Sequence, residues 1–173
     1  MAPRQQSPVV TIRPVQPDDF EAIATLTNIY ITNTAVHFGY NAATADELCK
    51  QWEATKDRYP FLVAELNGAF AGFAKAYQWR TREAYNWTAE TGIYVTNAAQ
   101  GKGVGRELYA LLLKRLRTAG FRSAIGGITL PNPASIRLHQ SLGFEHVGTV
   151  RQAGFKLNAW HDVAFYQKML VDA

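Results

Sequence analysis

The chain of 173 residues is 47% hydrophobic and 18% charged, the balance of a globular protein with one sizeable core rather than of a disordered or low-complexity chain. No apolar run approaches the roughly 20 residues of a membrane span, the opening M-A-P-R-Q-Q-S-P lacks the apolar stretch of a secretory signal, and a lone Cys49, expected as a small buried hydrophobe, has neither a disulfide partner nor companions at metal-ligand spacing. The excess of 18 Lys and Arg over 14 Asp and Glu is scattered, which suits anionic small molecules better than nucleic acid and leaves the cytoplasm as the expected compartment.

Residues 1–8 read as a flexible lead-in to a single domain over 9–173, which begins with a strand at Val9–Arg13. Pro17-Asp18-Asp19 opens a helix whose apolar stripe is Ile23, Leu26, Ile29 and Tyr30 and whose first turn carries the acidic residues that a helix N-terminus favours. An irregular segment with His37, Phe38 and Tyr40 follows. Thr44-Ala45-Asp46-Glu47 fits a capping box for a second helix, with Leu48 and Trp52 on one face, running out near Asp57. Phe61–Leu66 and Ala69–Tyr77 flank Asn67-Gly68, the strongest short hairpin signal, so these strands are predicted as antiparallel neighbours. Residues 78–87 form a loop dense in aromatic side chains and arginine, and Thr88–Val95 is the next strand.

That strand runs into Gln100-Gly101-Lys102-Gly103-Val104-Gly105-Arg106, and Val104, Leu108, Leu111, Leu112 and Leu116 then mark one face of a helix ending at Gly120. Bare backbone leading into free helix amides is a place for phosphate. A dinucleotide fingerprint would need glycine at Arg106, and a P-loop would need Ser or Thr after Lys102, so both fail; a tight turn between packed elements remains the plain alternative. A strand over Phe121–Leu130, a short helix over Ala134–Leu142 stopped by Gly143, and strands near Phe144–Arg151 and Val163–Met169 complete an order β-α-α-β-β-β-α-β-α-β-β. This is an α/β chain with a mixed sheet of six to seven strands and about four helices.

The spacing Gln100-x-x-Gly103-x-Gly105, followed by Asn132-Pro133-Ala134-Ser135-Ile136-Arg137-Leu138-His139-Gln140-Ser141-Leu142-Gly143-Phe144, resembles the two signature segments of the GNAT superfamily of N-acetyltransferases. Within it, R-Y-P-F-L-V-A-E (58–65), A-Y-N-W-T-A-E-T-G-I-Y-V (84–95) and A-G-F-K-L-N-A-W-H-D-V-A-F-Y-Q (153–167) are similar to the branch that acetylates phosphinothricin, methionine sulfoximine and methionine sulfone. The likeness spans about residues 9 to 170.

The resemblance implies acetyl-CoA as cosubstrate, no metal, direct transfer in a ternary complex to the α-amino group of a small anionic amino acid, and a homodimer. It makes Glu90 the base; His139, where the superfamily has a tyrosine, is acid or base, and Tyr109 is a less favoured acid that packs in the core. Backbone at Ile93, Tyr94 and Val95 would hold the pantetheine as an added strand. Gln100, Gly101, Lys102, Gly103, Val104, Gly105 and Arg106 would take the pyrophosphate, and Asn132 and Ser135 the pantetheine arm. Arg80 and Arg82 would grip the acceptor's anionic groups between walls of Phe38, Trp79, Tyr85 and Trp87. A GNAT enzyme for a protein N-terminus, polyamine or aminoglycoside is the alternative within enzymes, though these cationic acceptors suit two arginines poorly. A non-catalytic acyl-CoA-binding module is the alternative of another class.

Overall fold

The computed structural model describes residues 9–171, so the expected lead-in over 1–8 lies outside the described residues. Seven strands form one sheet in the order β1-β2-β3-β4-β5-β7-β6: β1 Val10–Pro14, β2 Phe61–Leu66, β3 Ala69–Gln78, β4 Thr88–Val95, β5 Ser123–Thr129, β6 Glu145–Lys156 and β7 Ala159–Met169. Helices α1 Phe20–Asn33, α2 Ala45–Glu53, α3 Val104–Thr118 and α4 Pro133–Ser141 complete the order expected from the sequence.

Period-two alternation on the strands divides the core. Leu62, Ala64, Ala74, Ala76 and Ala89 face α3, whose Val104, Leu108, Leu112 and Leu116 are fully buried against them. Val63 and Phe73 on the other face pack with Phe20, Ile23 and Leu26 of α1, and Leu48, Cys49 and Trp52 of α2 lean on that second cluster. Cys49 is thus only partly buried.

Local signals explain most element ends. Thr44 accepts from the Glu47 amide while the Glu47 carboxylate accepts from the Thr44 amide, a complete capping box. Helix α2 stops at Glu53 rather than near Asp57, because the chain tightens into a turn in which Thr55 N–H bonds the Trp52 carbonyl. Asn67 and Gly68, at φ 54° and 82°, make the expected turn between β2 and β3.

The last two strands differ from expectation. They continue outward as a long arm to a turn at Leu157-Asn158, both in the left-handed region at φ 51° and 60°, past a bulge at Gln152. The bulge interrupts the alternation and the turn has no glycine, so the sequence pattern stops early. The buried Lys156 ammonium on this arm donates to the carbonyls of Ile31 and His37, tying the end of α1 and the segment after it to the hairpin.

The sheet is antiparallel except where β4 meets β5. That parallel pairing covers only Thr88, Ala89, Glu90 and Thr91, opposite Ser123, Ala124, Ile125 and Gly126. Beyond Thr91, β4 stays paired with β3 to Val95 while β5 stays with β7 to Thr129, so the two strands part. Gly72 on β3 sits at the end of this diverging strand, opposite Val95 at φ 155°, and a methyl group there would collide with the Tyr94 carbonyl. Gly72→Ala is expected to lower unfolding stability by roughly 2 kcal/mol in urea titration, since the obstacle is backbone and cannot turn aside.

Candidate active site

A cleft of about 690 Å³ opens where β4 and β5 part. Its floor is made by one face of β3 and β4, where Phe73, Lys75 and Tyr77 lie across from Tyr94, Gly92 and Glu90 in register. Val36, His37 and Phe38 of the segment after α1 close one side, and Asn132 with Ser135 and His139 of α4 the other.

Strand geometry fixes what backbone is available. Thr96 N–H bonds the Ala71 carbonyl on β3, so by alternation the N–H groups of Ile93 and Val95 point away from β3, into the gap left by β5. The turn that follows uses few of its own amides. Lys102 N–H bonds the Ala99 carbonyl and Arg106 and Glu107 bond Gly103, while among the described residues the amides of Gly101, Gly103, Val104 and Gly105 have no hydrogen-bond partner. Gly101 and Gly103, at φ 72° and 82°, shape these groups into a cradle at the positive end of α3, a helix of 15 residues. Lys102 and Arg106 are exposed beside it. Free strand amides leading to an amide cradle fit an extended arm that ends in phosphate.

Glu90 is half-buried and Tyr77, its cross-strand partner, donates to its carboxylate. Burial holds its pKa above the ordinary carboxylate value, against the opposing pull of the Tyr77 hydrogen bond and the Arg80 charge. A proton is therefore taken up more readily than by a surface glutamate.

His139 is 4% exposed and bonded on both ring nitrogens. Nδ1 lies 2.8 Å from the Ser135 carbonyl, which can only accept, so Nδ1 carries a proton. Nε2 lies 3.0 Å from the Tyr109 hydroxyl, that hydroxyl 2.7 Å from Thr91 Oγ1, and Thr91 Oγ1 3.0 Å from the Ile125 carbonyl. These are four contacts. Neutral His139, Tyr109 and Thr91 bring one hydrogen each, three in all, whereas the imidazolium brings the fourth and lets every contact be made in one direction, from His139 to Ile125. Burial nevertheless dominates and holds the pKa below 6.5, with the Ser135 bond pulling the other way. Gly126 leaves room for the ring, since any side chain there would strike Nε2.

Several expectations meet here and some do not. Phe38, Glu90, Ile93, Tyr94, Asn132, Ser135 and His139 all line the cleft, and Asn132 also caps α4 through the Ser135 amide. Tyr109 does more than pack, because its hydroxyl joins His139 to Thr91. Trp79, Arg80, Arg82, Tyr85 and Trp87 do not line the cleft. Arg80 stacks on Trp79 and Trp79 on Tyr85; Arg82 precedes the short turn Glu83–Tyr85; and Trp87 takes the Arg58 guanidinium on its face and the Arg122 and Ser123 amides on its carbonyl, which anchors the loop end at the start of β5. Lys75, Tyr77 and His37, not among the site residues expected from the sequence, line the cleft. Lys75 carries a signal in retrospect, as the one charge inside the apolar run A-F-A-G-F-A-K-A-Y-Q.

Comparison with known proteins bears on this geometry. A family model for the acetyltransferase (GNAT) domain matches residues 12–165. A phosphinothricin N-acetyltransferase of Streptomyces viridochromogenes is 43% identical over 92% of this chain and 87% of its own length. An L-methionine sulfoximine/L-methionine sulfone acetyltransferase of Salmonella typhimurium is 36% identical over 93% of this chain and 95% of its own. A structure from Salmonella typhimurium, solved with its cofactor acetyl-CoA, superposes with a TM-score of 0.91 at 36% identity, covering 95% of each chain.

Because burial lowers the His139 pKa, the unfolded chain binds that proton more tightly than the folded one. The contribution of His139 to stability is then complete above pH 6.5 and declines as pH falls from 6.5 towards the folded value. Titration of the His139 ring followed by NMR is expected to give a midpoint below 6.5; a midpoint at or above it contradicts this account.

Proposed function

The chain belongs to the GNAT acetyltransferase family, and from that premise we propose that it transfers the acetyl group of acetyl-CoA directly to the α-amino group of a small anionic amino acid of the phosphinothricin, methionine sulfoximine or methionine sulfone type. The observation that carries this reading is the opening between β4 and β5, with unpaired strand amides on one side and a half-buried carboxylate facing the same cleft.

The N–H groups of Ile93 and Val95 take the pantetheine as an added strand, and the amides of Gly101, Gly103, Val104 and Gly105 take the pyrophosphate, with Gln100, Lys102 and Arg106 at its edge. Asn132 and Ser135, half-buried at the head of α4, hold the arm from the opposite side. Acetyl-CoA supplies the activated acyl carbon; this chain moves the protons.

Glu90 removes one proton from the acceptor's ammonium, directly or through water, and frees the lone pair that attacks the thioester carbonyl. A strand amide stabilises the oxygen as it gains charge. As the carbon–sulfur bond breaks, the nitrogen sheds a second proton and the thiolate gains one. His139 serves this exchange, since its chain through Tyr109 and Thr91 has a place for one extra hydrogen. The exposed Arg80 and Arg82 act from the rim on the acceptor's anionic groups, with Trp79, Tyr85 and Trp87 around them, a role supported by the influence of the Arg80 charge on Glu90.

The same reading takes 9–173 as one catalytic domain of a cytoplasmic homodimer. Among the described residues no helix is long and apolar enough to cross a membrane. The outer arm of β6 and β7, at the sheet edge, exposes Val147, Val150, Phe155, Leu157 and Trp160 at 44–61%, an apolar surface suited to a second copy. Trp160→Glu is expected to shift the protein from dimer to monomer in sedimentation velocity, and an unchanged dimer would place the contact elsewhere.

Release of free thiol from acetyl-CoA, measured with phosphinothricin, methionine sulfone, spermine and a peptide as acceptors, tests the function. Turnover with the two amino acids is expected. Turnover with spermine or the peptide alone would favour the other acceptor classes, and acetyl-CoA binding without any turnover would favour a binding module. Glu90→Gln is expected to lower kcat at neutral pH about 100-fold or more while leaving acetyl-CoA affinity unchanged.

A further inference from the structure

Lys75 occupies the middle of the cleft floor. It pairs across the sheet with Gly92, which has no side chain to cover it, while its neighbour Tyr77 pairs with Glu90. Lys75 and Glu90 are therefore diagonal neighbours on one face, their backbones about 7 Å apart. They do not join: among the described residues Lys75 makes no ion pair and no hydrogen bond, and its ammonium rests 5.7 Å from the Tyr77 ring centre. The other titratable groups on this part of the wall bring no second carboxylate. Tyr94 is a phenol, and His37 accepts the Gly39 amide on Nδ1 at 2.9 Å, which places the proton of its neutral ring on Nε2. Burial, followed by the charges of Lys75 and Lys156, holds His37 below its ordinary pKa and so uncharged at neutral pH.

We propose that Lys75 binds the α-carboxylate of the acceptor and so selects amino acids over simple amines, an inference that rests on the acetyltransferase reading given above. An α-amino acid carries its ammonium and carboxylate on one carbon, and the floor of the cleft offers a carboxylate and an ammonium on one diagonal. With the acceptor's nitrogen at Glu90, its carboxylate falls on the Lys75 side. A half-buried cation without a counter-ion is an unfavourable arrangement, and burial draws the Lys75 pKa down. The incoming carboxylate supplies the missing partner. A polyamine or a peptide N-terminus brings no carboxylate to that position and leaves Lys75 unpaired.

The test compares methionine sulfone with methionine sulfone amide, which keeps the side chain and the amine but lacks the carboxylate, in the wild type, K75M and K75R. The wild type is expected to favour the acid over the amide by about 10-fold or more in kcat/KM. K75M should lose that preference through a raised KM for the acid, with acetyl-CoA KM unchanged, and K75R should recover much of it. A K75M enzyme that still prefers the acid overturns the assignment, as does a wild type that treats the two acceptors alike, and in either case the acetyltransferase reading stands. If K75M instead loses discrimination between methionine sulfone and norleucine, Lys75 reads the side chain and the carboxylate assignment fails. A wild type inert towards both sulfone acceptors but active on spermine or the peptide fails the broader reading, and Lys75 with it. Thermal stabilisation of each variant by acetyl-CoA confirms that it is folded.

Discussion

The pairing of β4 with β5 ends at Thr91, and most of the site follows from that end. Up to Thr91 the sheet is continuous; past it, two strands that remain fully bonded to their outer neighbours can no longer bond each other. A parted pair of central strands exposes donors and acceptors that would each be costly if buried without a partner, so the gap has to be filled by a ligand or by water. Thr91 marks the boundary chemically as well. Its hydroxyl bonds the Ile125 carbonyl at the last rung and bonds Tyr109 towards His139, so the residue that ends the ladder also begins the hydrogen-bond chain of the site.

Both helices flanking the gap are used by their N-terminal ends. Helix α3 starts from Gly103 with no side-chain cap, leaving amides for an anion, whereas α4 starts from Asn132, whose side chain already satisfies the Ser135 amide. The difference assigns charge recognition to the first helix and placement of His139, two turns into the second, to the other. Lys156 does comparable work on the far wall. By bonding the carbonyls of Ile31 and His37 it fixes the segment bearing His37 and Phe38 to the outer hairpin, where Phe38 packs on Gly154.

Much of this is legible in the residues themselves. The hairpin at Asn67-Gly68, the capping box at Thr44 and the glycines from 101 to 105 each impose their conformation within a few positions, and the element order is recovered whole. Contacts between distant segments are less accessible. Tyr109 meets Thr91 and His139 across separations of 18 and 30 residues, and nothing local distinguishes that tyrosine from one that only fills space. The loop 78–87 is placed at the rim rather than in the cleft for a related reason. Its arginines and aromatic rings have the composition of a binding wall, yet the anchoring of Trp87 to the start of β5 turns several of them against one another. Lys75 is the converse case, a single charge whose meaning depends on which strand lies opposite.

Three of the ionisable groups on the cleft, Glu90, His139 and Lys75, are shifted by the same cause. Burial raises Glu90, lowers His139 and lowers Lys75, and in each case the charged form is the one disfavoured. For Glu90 the folded state holds the proton more tightly, so this group's contribution to stability is complete below its unfolded pKa and is lost as pH rises through the folded value. For His139 the loss comes on the acid side, below 6.5. Burial thus disfavours the charged form of both members of the Glu90–Lys75 diagonal, and among the described residues the two make no ion pair with each other. A zwitterionic acceptor brings the opposite charge to both at once, so the burial of these two groups and the proposed preference for an amino acid have the same origin.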